Sequence, residues 1–370
     1  MKKPQVLVIA SLGDPPHVGG IENVVDTLLQ SKLNESFEFS VFDTYRAPNP
    51  NRTRLEKAAF ARRLFLTCRA RVREVDPDIV HIHFCSRSDF WKHAICLGVS
   101  RQAGAKTIFH LHGGTFDGFY AAMNPIKKTL TRRIFGLADR VIALSEYWKG
   151  FLAELVPEER IRILNNPIDC ERLSPGARAL DPEKPTLLLL GSLGRRKGHY
   201  EVLKALPQVV AKHPDVKLLF AGSDEDHGAG EKLRALAEDA GVGEHVEFLG
   251  PISFEPKVEL LRTSTLMILP SHGENMPISV LEGMAARMPV VSTRVGAIPE
   301  VLDEGKAGLL IDAGDWEALA ESINRLLDDP SLAAELGEAA GARARERWDV
   351  QRIAKRVEQV YGEVLGPSRG

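Results

Sequence analysis

Cysteine is scarce in this chain of 370 residues: Cys68, Cys85, Cys96 and Cys170 are the only four, and no two of them form a CxxC pair. That usage argues for reduced thiols in a cytoplasmic protein and against a structural zinc site. Long apolar runs are lacking too, since no stretch approaches the roughly 20 residues of a membrane span. The N-terminal KKPQVLVIA has a short apolar run without a small-residue cleavage site, so it reads as a first β-strand and not as a signal peptide. Repeats at solenoid period and low-complexity tracts are absent. The first strand-to-helix turn has no GxGxxG, which argues against a dinucleotide, and no cofactor is expected.

What remains is ordinary globular material, 44% hydrophobic and 26% charged, and long enough for two domains with real cores. The net charge of −2 hides an asymmetry. Residues 1–180 hold 26 Lys and Arg against 19 Asp and Glu, while the remainder is net acidic. No nucleic-acid partner is expected. Much of the positive excess lies in Arg52 to Arg73, where Leu55, Phe60, Leu64, Phe65 and Leu66 interleave with the cations. A solvated basic helix face is one reading. A peripheral contact with an anionic membrane surface, with Lys127, Lys128, Arg132 and Arg133 as a second contact, is the other.

Apolar β-branched runs alternate with helical patterns: QVLVIA, DIVHIHF, KTIFHLH and RVIALS, each followed by an amphipathic stretch. Parallel strands covered by crossover helices produce this rhythm. LSPGARALDPEKP, Leu173 to Pro185, interrupts it as a linker, after which TLLLLGSLG, VKLLFAGS, HVEFLG, LMILPS and PVVSTR supply a second set of strands. The expected plan is α/β, with two Rossmann-like doubly wound domains facing a central cleft. They would span residues 1–172 and 173–350, and a C-terminal helix at about 351–370 would pack back on the first.

Glycines mark the loops where chain and ligand would approach closely. Gly19 and Gly20 precede a helix, where a diphosphate could meet backbone amides, although a helix-entry turn explains a lone GG as well. GSLGRRKGHY places Arg195, Arg196 and Lys197 just before another helix, so cations and a helix N-terminus could converge on phosphate; the plain alternative is a basic surface turn. In FHLHGGTF, His110 and His112 point to one side of a strand. A metal pair would need further ligands, none is seen at suitable spacing, and the expectation is one histidine in the cleft and one in the core. Two D-x-D strings, Asp76 to Asp78 and Asp224 to Asp226, are not assigned a metal, and no metal site is expected.

HGENMPISVLEGMA, His272 to Ala285, carries two glutamates eight residues apart. On one continuous helix they would diverge by about 80°. Pro277 favours a loop over 272–276 and a helix over 277–287, so Glu274 projects from the loop and Glu282 from the second helical turn. Amides around Asn275 and Met276, with the helix dipole behind them, suit a polar anionic ligand.

Together these segments resemble the large retaining glycosyltransferase family of GT-B fold with the E-x7-E signature, the family 4-like bacterial polysaccharide and glycolipid glycosyltransferases. The resemblance follows nearly the whole chain in order: the Gly19–Gly20 loop, LHGG, ALSEYW, NNPID, the Lys197–Gly198 pair and the two glutamates. It implies that Glu274 contacts donor-sugar hydroxyls, that amides near Asn275, Met276 and Pro277 approach sugar and diphosphate, and that Glu282 accepts from the ribose diol. It also implies that Lys197 and a neighbouring arginine neutralise the leaving diphosphate, and that His112 stands beside the transferred sugar. The family places an arginine where this chain has Ser192, so Arg196 is expected to substitute, ahead of Arg195. The implied activity is sugar transfer from a UDP- or GDP-sugar to a glycan or polyprenyl-linked acceptor, with retention and without metal. The alternatives are a sugar-nucleotide epimerase, a phosphorylase or a non-catalytic sugar-nucleotide-binding protein of the same fold.

Overall fold

A computed structural model describes residues 3–13, 19–46, 52–174, 176, 178–181, 183–225 and 228–366. The chain divides into two compact units, Met1–Pro167 with Val350–Gly370, and Ile168–Asp349. The first unit contains β1 (Gln5–Ala10), β2 (Glu38–Asp43), β3 (Ile79–Phe84), β4 (Lys106–Leu111), β5 (Arg140–Ala143) and β6 (Ile161–Ile163). They form one parallel sheet in the order β2-β1-β3-β4-β5-β6. The second contains β7 (Thr186–Leu190), β8 (Lys217–Ala221), β9 (Val246–Gly250), β10 (Leu266–Leu269), β11 (Val290–Thr293) and β12 (Leu309–Ile311). Its order is β12-β11-β10-β7-β8-β9, again parallel throughout.

Apart from HVEFLG, which became the half-exposed edge strand β9, the apolar runs became the central strands because both faces of a parallel sheet are covered by helices. Every side chain of β3 and β10 is buried. Three strands fall outside the runs read from sequence: β2, β6 and β12, each at a sheet edge and half-exposed. One uncovered side removes the demand for continuous apolar residues, and with it the pattern that would announce a strand.

In the first unit, Phe84, Phe90, Phe109, Phe116 and Phe135 are wholly buried, with Phe84 and Phe109 stacked at 3.8 Å between centroids. Burial of such rings is a main source of core stability, and truncating one to alanine costs about 3–5 kcal/mol. The basic segment forms the helix Arg54–Val75, opened by a capping box in which Thr53 Oγ1 accepts from the Glu56 amide at 3.2 Å and the Thr53 amide donates to Glu56 at 2.7 Å. It stops at Asp76, which is left-handed with φ 47°. Its inward stripe, Leu64, Cys68 and Val72, packs in the core with Phe60 and Phe65 beside it, leaving Leu55 and Leu66 exposed. The C-terminal helix Val350–Leu365 packs on β3 and β4.

The Pro- and Gly-rich segment expected as a linker is anchored within the second unit. The half-buried Arg178 guanidinium donates to the carbonyls of Ser264 and Thr265, and the latter bond measures 3.2 Å. Loss of solvent lowers the Arg178 pKa to about 10.

Candidate functional site

In the second sheet the winding reverses between the neighbours β7 and β10. Residues just beyond the C-terminal ends of strands flanking such a reversal are where doubly wound sheets meet ligands. The loops leaving β7 and β10 carry Lys197 and Glu274, and the structure brings these two together. Glu274 Oε1 accepts from Lys197 Nζ at 2.7 Å and from Ser271 Oγ at 2.8 Å, with Arg196 Nη1 at 3.5 Å. Arg196 Nε donates also to Glu225 Oε1 at 2.6 Å.

Backbone geometry forces this approach. The His272 amide donates to the Arg196 carbonyl at 2.8 Å, tying one loop to the other. Gly198 has φ +80°, and a Cβ there would lie 2.0 Å from the Pro270 carbonyl oxygen. Gly296 has φ +55°, and a Cβ on it would lie 2.0 Å from the Glu274 carbonyl oxygen. Only glycine allows both the left-handed conformation and the contact.

Glu274 is 6% exposed. Burial alone would raise its carboxyl pKa, but the charges of Lys197 and Arg196 and the bonds from Lys197 and Ser271 outweigh that and lower it. The glutamate is therefore an anion at neutral pH. Lys197 and Arg196, expected to meet a diphosphate, both engage Glu274. The reason is electrostatic: a carboxylate this far from water needs counter-charges of its own.

The second glutamate lies on the helix Ile278–Ala285. Pro277 caps that helix and does not enter its first turn, and Arg287, at φ +57°, lies beyond its end, so the helix is shorter at both ends than the 277–287 expected. Asn275 and Met276 are buried in the preceding loop, and Glu282 is buried in the second turn. Glu282 Oε1 accepts from Lys257 Nζ at 2.5 Å. Lys257 comes from the helix Phe254–Thr263 and was missed in the sequence, where a single lysine in an amphipathic helix carries no signal.

The remaining candidates belong to the first unit. Gly19 caps the helix Gly20–Leu29, and its amide donates to Glu22 Oε2 at 3.0 Å, an internal partner where a diphosphate was one possibility. Residues 14–18 of the same loop lie outside the described residues, as does Asp226 of the second D-x-D string. Asp224 accepts from the Gly230 amide at 3.0 Å, and Asp78 from the Gln5 amide at 2.8 Å.

His112 is half-buried just past β4, and His110 is buried within it. The sequence reading found no further imidazoles for them, yet the parallel register sets His83 beside His110 and brings His81 onto the same face. Two hydrogen-bonded pairs result, His81 Nε2 with His110 Nδ1 at 3.1 Å and His83 Nδ1 with His112 Nε2 at 2.9 Å. The rings of His81 and His83 stack at 4.2 Å, and those of His110 and His112 lie at the same centroid distance but tilted by 37°. The Tyr361 hydroxyl meets His81 Nδ1 at 2.8 Å. One nitrogen each of His81, His83 and His110 lies within 4.8 Å of the others, close enough to suggest a metal centre. Here His81 and His110 pair through Nε2 and Nδ1, and His83 pairs with His112 through Nδ1. Burial, aided by His112, lowers His81 from its ordinary 6.5 to about 3; burial alone takes His112 to about 3.

Comparisons with known proteins bear on this arrangement. Residues 172–343 match the family described as glycosyl transferases group 1, and residues 18–172 match Glycosyltransferase Family 4. The chain is 32% identical over 266 residues to the GDP-mannose-dependent alpha-(1-6)-phosphatidylinositol monomannoside mannosyltransferase of Mycolicibacterium smegmatis, covering 68% of each chain. It is 31% identical over 218 residues to the D-inositol 3-phosphate glycosyltransferase of Corynebacterium jeikeium, covering 55% of this chain and only 52% of that relative. The matches thus span from about half to two thirds of these curated relatives. Among solved structures, sucrose-phosphate synthase from Thermosynechococcus elongatus superposes with a TM-score of 0.81 at 21% identity, over 97% of this chain and 98% of that one. Anabaena Alr3699/HepE in complex with UDP-glucose gives 0.73 at 18% identity, over 96% and 98%. At these identities the likeness shows the fold, which is the two-domain α/β GT-B fold.

Proposed function

The chain belongs to the group 1 and family 4 glycosyltransferases, and we propose that it is a retaining enzyme moving a sugar from a nucleoside diphosphate sugar to a glycan or lipid-linked acceptor of surface polysaccharide or glycolipid synthesis. The observation that carries this reading is the buried Glu274–Lys197 pair at the winding reversal of the second sheet, with Arg196 beside it. An ammonium has three protons, and Glu274 takes one of those on Lys197. The others would bind the diphosphate and neutralise charge as the bond to the sugar breaks, with Arg196 assisting.

In the step proposed, the anomeric carbon loses its bond to the diphosphate oxygen and gains one to the acceptor oxygen on the same face. The acceptor proton passes to the departing phosphate oxygen. Glu274 then acts as an acceptor for sugar hydroxyls, and no acid–base carboxylate pair is called for. Glu282 receives the ribose hydroxyls, and the amides of Asn275, Met276 and the helix after Pro277 face the anionic donor. A UDP- or GDP-sugar is favoured because the Anabaena protein of the same fold binds UDP and UDP-glucose and the Mycolicibacterium relative depends on GDP-mannose.

Thermal stabilisation by a panel of nucleoside diphosphates and their sugars tests the donor class, since a ligand that binds the folded state raises the melting temperature. Sugar release or transfer from the stabilising donor tests the activity. Glu282→Ala is expected to weaken binding of the free nucleoside diphosphate, and Glu274→Ala to impair transfer or sugar-dependent binding. Equal losses of nucleoside diphosphate affinity in the two variants would contradict the division of roles.

A further inference from the structure

We infer that Lys257 is a positioning residue for nucleotide recognition, holding Glu282 in the orientation that reads the ribose diol; this rests on the reading of Glu282 as the ribose acceptor. Nothing in the family resemblance assigned Lys257 a role. The geometry does. Its ammonium lies 2.5 Å from Glu282 Oε1, and both side chains are largely shielded, 15% and 6% exposed.

The lysine is itself held in place. Its Nζ is 5.4 Å from the centre of the Phe254 ring, on the first turn of the same helix, and the Arg172 guanidinium packs over that ring at 4.0 Å. A flexible four-carbon stem is thus braced at an aromatic surface, so the ammonium acts as a fixed charge.

A glutamate in the second turn of a helix has free side-chain torsions, and a buried carboxylate without a counter-charge is costly. Lys257 addresses both. It fixes the orientation of the carboxylate and keeps a compensating charge beside it whether or not a nucleotide is bound. A carboxylate can accept about four hydrogen bonds, so the one from Lys257 does not exhaust it. Discrimination between a ribonucleoside and a deoxyribonucleoside would then depend on a residue outside the helix that carries the reading group.

The test measures affinities for UDP and GDP, and then for the 2′-deoxy and 3′-deoxy forms of whichever binds more tightly, in the unaltered protein, Lys257→Met and Lys257→Arg. The unaltered chain should prefer the ribonucleotide by about tenfold or more, as expected for hydrogen bonds to a charged group. Lys257→Met should bring the ratio toward one, and Lys257→Arg should restore most of it. A general loss of folding lowers the fraction of competent protein and affects all nucleotides alike, so it leaves the ratio unchanged. If Lys257→Met keeps the full preference, Lys257 has no positioning role and the inference fails while the ribose reading stands. Tighter binding of every nucleotide by Lys257→Met would show that the pair obstructs the site, which also overturns it. If the unaltered chain does not distinguish the deoxy forms, or binds neither UDP nor GDP, the reading of Glu282 fails first.

Discussion

Lys197 Nζ and Glu274 Oε1 are 2.7 Å apart, and the two side chains are only 12% and 7% exposed. Removing one partner of a buried ion pair strands the other, at a cost of about 3–5 kcal/mol. Lys197→Met should therefore destabilise the second unit by that amount as well as abolish transfer. Glu274→Gln, which keeps an acceptor for Ser271, should cost less stability but lose most of the transfer. Urea denaturation followed beside turnover separates the effects. Equal stability losses would show that charge compensation is not what Lys197 provides.

The approach of the loops depends on Gly198 as much as on charge. Gly198→Ala puts a methyl group 2.0 Å from the Pro270 oxygen at a left-handed position, while Gly241→Ala, at φ +69°, meets nothing within 4 Å. Left-handed strain alone is about 1–2 kcal/mol, and a forced backbone shift adds about 1–3. Gly198→Ala should thus lose at least about 2 kcal/mol and most nucleotide affinity, whereas Gly241→Ala should lose about 1–2 kcal/mol and retain affinity. Comparable melting temperatures and affinities in the two variants would refute the steric account.

The histidine stack predicts acid sensitivity of the first unit. His81 and His112 fall to about 3 in the folded chain from an ordinary 6.5, with His83 and His110 also well below 6.5. Between those limits the unfolded chain binds protons that the folded one excludes. The stability these groups contribute is complete above about 6.5 and is lost as pH falls toward 3, with a slope of up to about 1.4 kcal/mol per pH unit for each histidine. Urea midpoints from pH 8 to 4 should be flat at first and then decline. His81→Phe with His110→Leu should flatten the decline, and an unchanged slope would place the proton uptake elsewhere.

Much of the plan was legible in the sequence because β1, β3, β4, β7, β8 and β10 are apolar runs that could only be buried strands. Of the edge strands, β9 was legible as HVEFLG, whereas β2, β6 and β12 were not, since half-exposed segments do not need that pattern. Glu274, Lys197 and Glu282 could be singled out because glycine, proline and charge crowd around them in short motifs. Two relationships stayed hidden. The pairing of His81 with His110 depends on strand register, and that of Lys257 with Glu282 on packing between helices 25 residues apart; neither leaves a local trace.

For a lipid-linked acceptor we propose that an anionic membrane surface is met by the helix Pro125–Phe135 more than by Arg54–Val75. No helix among the described residues is long and apolar enough to cross a membrane. Arg54–Val75 turns Leu64, Cys68 and Val72 into the core and leaves Leu55 and Leu66 as its large exposed apolar residues. In Pro125–Phe135, Ile126 is 80% and Leu130 46% exposed, four residues apart on one face, with Arg133 continuing the face, Lys127 beside it and Leu137 just beyond. Exposed aliphatics flanked by cations suit the interface of an anionic bilayer, where each engaged Lys or Arg contributes about 1 kcal/mol and salt weakens the attraction. Ile126→Glu with Leu130→Glu should abolish co-sedimentation with anionic vesicles at low salt, while Arg62→Glu with Arg63→Glu should reduce it only partly. Neutral vesicles should bind little. Loss confined to the second pair of substitutions would return the contact to Arg54–Val75, and no binding to anionic vesicles by the unaltered chain would point to a soluble acceptor.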